Sequence, residues 1–267
     1  MQAEQVLNEL ADELWQAEQT GVPVEPLTKR HANLEIEDAY AIQSLNIDRH
    51  VAQGARVCGR KVGLTSRPMQ ELLGVDEPDY GVLLDSMVVE DGDQIAADRL
   101  LQPRIEAELA FVMERDLAGP GVTAARALTA IAGALPAVEI VDSRVANWQI
   151  KLIDTVADNA SSGLLVVGGN LRQVTDIDLR LVGVVVTRHG ELVDTGAGAA
   201  VLGNPVRCVA WLANKLASFG ASLHAGDIIL PGAVHRMITV APGDVFRAEF
   251  AHLGAVTARF AARADAA

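Results

Sequence analysis

Glu106 and Glu108 stand two residues apart in Leu101-Gln-Pro-Arg-Ile-Glu-Ala-Glu-Leu-Ala-Phe-Val-Met113, and a third acid, Glu139, follows in Leu135-Pro-Ala-Val-Glu-Ile-Val-Asp-Ser143. Around the first two, Ile105, Ala107, Leu109, Phe111 and Met113 alternate with Arg104, Glu106, Glu108, Ala110 and Val112. That period of two belongs to a β-strand, so both carboxylates share one face, roughly 6.5–7 Å apart along the backbone. A helix would turn them away from each other. Glu139 lies in a short strand of its own, on the face of Ala137 and Val141, opposite Val138 and Ile140. If the three converge, each like-charge pair at about 4 Å costs on the order of 4 kcal/mol at an effective dielectric near 20, and the carboxyl pKa values rise unless a cation is present. An all-oxygen ligand set selects Mg2+, Mn2+ or Ca2+ over Zn2+ and leaves positions open for water or a chelating substrate. The competing reading pairs Arg104, on the same strand face, with one glutamate and leaves the others solvated.

Other chemistries are excluded by pattern. There is no Gly-x-Ser-x-Gly elbow, no His-Glu-x-x-His and no phosphate-binding Gly-x-x-x-x-Gly-Lys, and Val201 stands where a dinucleotide loop beginning at Gly196-Ala-Gly198 needs its third glycine. The run Thr195-Gly-Ala-Gly-Ala-Ala reads instead as a turn. The six histidines are scattered without ligand spacing and read as surface or loop residues. Cys58 and Cys208 form no CxxC pair or disulfide framework and read as core thiols in a reducing compartment. The balance of 22 basic and 35 acidic residues gives a net charge of −13 without a basic cluster, which argues against nucleic acid. The N-terminus lacks the basic start and apolar run of a signal peptide, and no apolar stretch is long enough to span a bilayer, so a soluble cytoplasmic protein without membrane contact is expected.

The elements that must position the acids can be read in outline. The 267 residues, 50% hydrophobic, suffice for a substantial core. Leu7, Leu10, Ala11, Leu14 and Trp15 trace an amphipathic helix, and a second is expected over about 35–50, with Ala39, Ile42 and Leu45 inward and Gly54 beyond its end. The glycines of Val57-Cys-Gly-Arg-Lys-Val-Gly-Leu-Thr65 suggest a strand approached closely by other backbone. Thr123 is expected to cap a helix carrying Leu128, Ile131 and Leu135. A later helix opens at Asn204 and Pro205, holds Val209, Leu212, Leu216 and Phe219 inward, and closes at Gly220. Strands are expected at 164–167, at 181–187 turning at His189-Gly190, and at 227–230. A final hairpin pairs 246–250 with 255–260 before an Ala-rich tail from Ala261.

Six segments together carry a resemblance. These are Gly59-Arg-Lys-Val-Gly-Leu-Thr-Ser66, Leu73-Gly-Val-Asp-Glu-Pro-Asp-Tyr-Gly81, Gln102-Pro-Arg-Ile-Glu-Ala-Glu108, Val138-Glu-Ile-Val-Asp-Ser-Arg144, the run from Asn147 to Ser162, and Thr195-Gly-Ala-Gly-Ala-Ala-Val-Leu-Gly203. In this order they resemble the 2-keto-4-pentenoate (2-hydroxypenta-2,4-dienoate) hydratase family of the fumarylacetoacetate hydrolase-like superfamily, over nearly the whole chain. The resemblance implies an α+β fold: a mixed β-roll or barrel with surrounding helices, formed by residues 57–267, and an N-terminal helical region, 1–56, packed on it. It further implies a Mg2+- or Mn2+-dependent enzyme of the meta-cleavage breakdown of aromatic compounds.

Carried over residue by residue, the resemblance makes Glu106, Glu108 and Glu139 the metal ligands and Lys61 and Asp79 the catalytic pair. Arg104, Asn159 and Ser161 become substrate-binding residues. The implied reaction adds water to a small 2-hydroxy-dienoate. Asp79 is the acid that the related 4-oxalocrotonate (2-oxo-3-hexenedioate) decarboxylases tend to lack, which ranks decarboxylation second. A non-catalytic metal-stabilised partner subunit and a C–C hydrolase of acylpyruvates rank below it. The resemblance also implies a homo-oligomer, pentameric or decameric, and association with enzymes of the same pathway. One position departs from the pattern: Pro231 stands where many relatives carry Ser or Thr, and it offers neither hydroxyl nor backbone N–H.

Overall fold

The computed structural model describes residues 2–96 and 98–262, so the end of the Ala-rich tail, 263–267, lies outside the described residues. The chain begins with α1 (Gln2–Thr20), a single turn α2 (Leu27–Arg30) and α3 (Ile36–Ala52). The apolar stripe of α1 puts Leu10, Ala11 and Leu14 into the core, and α3 adds Ala39, Tyr40 and Ile42. At the start of α3 the Glu35 backbone N–H donates to the Asp38 carboxylate, which ties down the first turn.

Next come β1 (Val57–Gly63), α4 (Arg67–Leu73), β2 (Asp79–Leu84), β3 (Val88–Glu90) and β4 (Gln94–Ile95), followed by the acid-bearing β5 (Arg104–Met113). Gly59 of β1 does admit backbone, since a Cβ there would lie 1.9 Å from the Ile228 carbonyl oxygen, whereas Gly63 admits a side chain, a Cβ there lying 2.1 Å from the Asp79 carboxylate. After β5, Thr123 caps α5 (Ala124–Leu128) by accepting from the Arg126 N–H. This helix is shorter than expected. Ile131 and Leu135 belong instead to the eleven-residue β6 (Ile131–Val141), where Gly133 and Pro136 disfavour helix and pairing with β5 supplies the backbone bonds.

The remaining elements are α6 (Leu152–Ala157), β7 (Ser162–Val167), β8 (Gly183–Arg188), β9 (Glu191–Ala197), α7 (Val206–Ala217), β10 (Ile228–Leu230), β11 (Ile238–Thr239) and the hairpin β12 (Val245–Phe250) and β13 (Gly254–Phe260). Two expectations change here. The Thr195 run finishes β9 before making its turn at 198–200. Phe219 falls beyond the end of α7 and is 45% exposed, leaning on Tyr40 and Tyr80 rather than facing inward.

Among the described residues the strands form two sheets. One runs β2-β1-β10-β5-β6-β7-β3, with β11 paired to β5, and the other runs β4-β13-β12-β8-β9. β2 also contacts β7 from across the first sheet, so that sheet rolls up on itself. One face, with Val62, Ile105, Ala107, Leu109, Phe111, Val138, Ile140 and Val166, joins the main core shared by the N-terminal helices and the second sheet. The concave face carries a small apolar group of Leu83, Ala110, Ala137, Leu165 and Leu230.

A buried ion pair secures the chain between β6 and β7. Arg144 donates to the Asp158 carboxylate and to the carbonyls of Asp142, Asp158 and Ser162, while the Arg144 N–H and the Ser143 hydroxyl donate to Asp158 as well. Burial still pushes the Asp158 carboxyl up to about 6, against the pull of Arg144. Removing the guanidinium strands that charge. Arg144→Ala is therefore expected to cost about 3–5 kcal/mol in urea unfolding, and a loss within the range of ordinary surface substitutions would refute the assignment.

Candidate active site

Strand register builds the site. Glu106 pairs directly with Glu139 across β5 and β6, and Glu108 pairs with Ala137 on the same face. From the other side, Lys61 on β1 pairs with Gly81 on β2, and Gly63 pairs with Asp79. Since directly paired residues point the same way, Lys61, Asp79, Glu106, Glu108 and Glu139 all project from the concave face of the rolled sheet. Lys61 (4% exposed), Asp79 (3%), Glu108 (1%) and Glu139 (1%) are buried, while Glu106 is half-buried.

The three glutamates each offer a carboxylate oxygen, and those atoms lie within 4.8 Å of one another. Glu108 Oε1, both oxygens of Glu139 and Asp79 Oδ1 are buried without a hydrogen-bond partner. The other oxygen of Glu108 accepts from the Gly232 N–H at 2.7 Å. Gly232 adopts φ +124°, and a Cβ there would lie 2.0 Å from Thr65 Oγ1, so a side chain at this position would displace the very N–H that holds Glu108. Pro231, buried just before it, helps place that turn.

Lys61 Nζ lies 3.4 Å from Glu139 Oε1, an ion pair without the geometry of a hydrogen bond. Burial works against the Lys61 ammonium, yet Glu139, Asp79, Glu106 and Glu108 outweigh it and hold the lysine pKa above its usual value. Burial and the neighbouring Glu139 push Glu106 up to about 7, and the same two causes lift Glu108 well above the normal range. Glu139 and Asp79 are raised by burial and held back by Lys61. One cation faces four carboxylates. Three converging glutamates, two of them with buried oxygens that lack a partner, fit a hard divalent ion, which would meet the charge excess and fill the missing bonds.

The other expected residues divide. Arg104 makes no ion pair with a glutamate among the described residues; its guanidinium stacks over Trp148 at 4.3 Å from the ring centroid. Asn159 lies against the site face, because a Cβ on Gly81 would come within 2.5 Å of its carbonyl oxygen. Its side-chain amide is engaged at the edge of β2, accepting from the Val82 N–H and donating to the Val82 carbonyl. The Ser161 hydroxyl is buried 3.2 Å from Thr155 Oγ1. His235, read from sequence as one of six scattered histidines, has a fully buried ring whose Nε2 accepts from the Ala107 N–H, between Glu106 and Glu108. Nothing local in Ala-Val-His-Arg signals that contact, which depends on a partner 128 residues away.

The profile of the fumarylacetoacetate (FAA) hydrolase C-terminal family matches residues 43–261. The chain is 48% identical over 252 residues to 2-keto-4-pentenoate hydratase of Paraburkholderia xenovorans LB400, covering 94% of each. It is 49% identical over 216 residues to a Pseudomonas putida 2-hydroxypent-2,4-dienoate hydratase, covering 80% of this chain and 97% of the relative. Among solved structures, 4-oxalocrotonate decarboxylase of Pseudomonas putida G7, complexed with magnesium and adipate, superposes with a TM-score of 0.92 at 40% identity, over 96% of this chain and 97% of that one.

The raised carboxyl groups have a measurable consequence. A group whose pKa is higher in the folded than in the unfolded state stabilises the fold while protonated, and that contribution disappears as pH rises through the folded-state value. The metal-free protein is therefore expected to lose stability between the ordinary glutamate range and the value of about 7 for Glu106. A divalent ion competes with those protons, so the rise in Tm on adding Mn2+ to chelator-treated protein should be larger at about pH 8 than at about pH 5. An equal rise at both would count against the acid cluster as the binding site.

Proposed function

The chain belongs to the fumarylacetoacetate hydrolase C-terminal family, and from that footing we propose that it is a divalent-metal-dependent hydratase. Its substrate would be 2-hydroxypenta-2,4-dienoate or a close homologue, and its product 4-hydroxy-2-oxopentanoate, within the meta-cleavage degradation of aromatic compounds. The observation that carries the reading is the meeting of three converging glutamates, two of them with buried oxygens that lack a partner, with Lys61 and Asp79 on one face, in a chain whose relatives at 48–49% identity are hydratases. The decarboxylase structure, at 40% identity, is the basis of the second reading.

Glu106, Glu108 and Glu139 would hold the ion. Bound there, Mg2+ or Mn2+ supplies Lewis acidity toward the carboxylate and C2 oxygen of the dienoate. The remaining work falls to side chains. The enol proton must leave and a proton must reach C5, giving the 2-oxo-3-enoate; water then adds its hydroxyl to C4 and a hydrogen to C3. Lys61, held as an ammonium by four carboxylates, is suited to donate a hydrogen bond to the C2 oxygen as negative charge gathers on it. Asp79, raised by burial, is suited to pass protons between carbon and water. Arg104, stacked on Trp148, presents a cation to the incoming anion. Asn159 and Ser161 are assigned to the substrate wall, Asn159 by its backbone beside Gly81. The adjoining group of Leu83, Ala110, Ala137, Leu165 and Leu230 favours an uncharged tail over a second carboxylate.

The same proposal includes a homo-oligomer. Leu181, Val185, Leu192 and Val193 are exposed apolar residues at and around β8 and the edge strand β9, a surface suited to covering by another copy.

Freshly generated 2-hydroxypenta-2,4-dienoate should be consumed with formation of 4-hydroxy-2-oxopentanoate only when Mg2+ or Mn2+ is present. Release of CO2 from 4-oxalocrotonate with no hydration would overturn the proposal in favour of the decarboxylase. Glu106→Gln is expected to weaken Mn2+ binding by on the order of a hundredfold, as befits a direct ligand; unchanged affinity removes Glu106 from the ligand set. Asp79→Asn should lower kcat by about 10²–10⁴-fold with Mn2+ affinity nearly retained. A matching loss of metal binding would show that Asp79 serves the ion and not the proton transfers.

A further inference from the structure

On one side, β5 is paired with β6 along its whole length. On the other side, β11 pairs at Arg104 and Ile105 and β10 pairs at Phe111 and Val112, but the chain between them, 231–237, leaves the sheet just where the ligand-bearing residues lie. The peptide groups of Ala107, between Glu106 and Glu108, face this gap. Their partners are unusual: the Ala107 carbonyl accepts from the Val234 N–H at 3.1 Å, and the Ala107 N–H donates to His235 Nε2 at 2.8 Å. A side chain thus takes the place of a strand carbonyl. The other ring nitrogen, Nδ1, lies 2.6 Å from the Arg236 carbonyl oxygen, which can only accept. These two bonds fix the tautomer: Nδ1 carries the hydrogen and Nε2 is bare. The charged group facing the ring is Asp194, 4.0 Å from Nδ1, and the ring itself has no exposed surface.

The detour has a cause in the same loop. To bring the Gly232 N–H to Glu108 Oε2, the chain must rise from the sheet after Leu230, and it then cannot offer Ala107 a backbone acceptor. Its imidazole spans the distance instead. We propose that His235 is a positioning residue of the metal centre: as a neutral imidazole it completes the open edge of β5 at Ala107 and so holds Glu106 and Glu108 at the orientation in which both serve one divalent ion. This inference rests on the metal reading given above.

The test compares His235→Phe, which keeps the ring volume without an acceptor, with His235→Gln, whose Oε1 can occupy the place of Nε2. The readout is Mn2+ affinity from the electron paramagnetic resonance signal of the free ion. The Phe variant is expected to bind Mn2+ about tenfold more weakly, as outer-shell changes do, while Gln stays within about threefold of the parent. Native affinity in the Phe variant, or equal losses in both variants, would overturn the proposal. Should the Phe variant fail to fold, 15N spectra of the parent protein decide: coupling between the Ala107 amide nitrogen and His235 Nε2, with the proton on Nδ1, is expected, and its absence overturns the assignment. A parent protein that ignores Mn2+ refutes the metal reading and this inference with it, whereas parent binding with an unaffected Phe variant refutes this inference alone.

Discussion

The pairing of Glu106 with Glu139 across two central strands is the constraint around which the rest is arranged. Like charges directly opposite one another on a sheet repel, and here a third acid, Glu108, joins them in a setting where water cannot screen the charge. Burial lifts all three carboxyl groups toward the protonated form, and the neighbouring Glu139 lifts Glu106 and Glu108 further. Lys61 relieves part of the repulsion, and a divalent ion would relieve most of the remainder. Instability of the bare site and affinity for a cation are therefore one property.

Holding such a cluster requires walls that do not yield. Three parts of the chain far apart in sequence converge to provide them. The glycines of β1 let β10 and the Asp79 carboxylate approach closely. The segment after α6 closes the free edge of β2 through the Asn159 amide, and Arg144 and Asp158 hold that segment from beneath. The loop after β10 braces β5 from the remaining side with one backbone N–H on Glu108 and one imidazole on Ala107.

Much of this was legible in the sequence because it follows from local rules. Strict alternation in β5 put both glutamates on one face, and the apolar setting of Glu139 marked it as a strand acid, as the register bears out. The N-terminal helices, the glycine-rich β1, the His189-Gly190 turn and the last hairpin likewise followed from periodicity and turn chemistry. The errors have physical reasons. Ile131 and Leu135 mimic helical spacing, but a ten-residue partner strand claimed them. The role of His235 was illegible because it is defined by a gap in pairing between β10 and β11, which exists only once the sheet is assembled. The stacking of Arg104 on Trp148 is long-range in the same sense, and it stands where the competing reading put a pairing with a glutamate.

The alternation in β5 has a consequence for how such a protein can change over evolutionary time. Glu106 and Glu108 project to the site while Ile105, Ala107, Leu109 and Phe111, from the same strand, lie fully buried in the main core. Acid cluster and core are interleaved residue by residue, and inserting or deleting one residue would exchange the two faces, driving acids into oil and leaving the acidic face greasy. Change of length is forbidden to this strand. Change at this face must therefore arise by substitution within the strands or by remodelling the connecting segments that adjoin them, such as those around Trp148, Asn159 and Pro231, with the acid-bearing strand carried through intact.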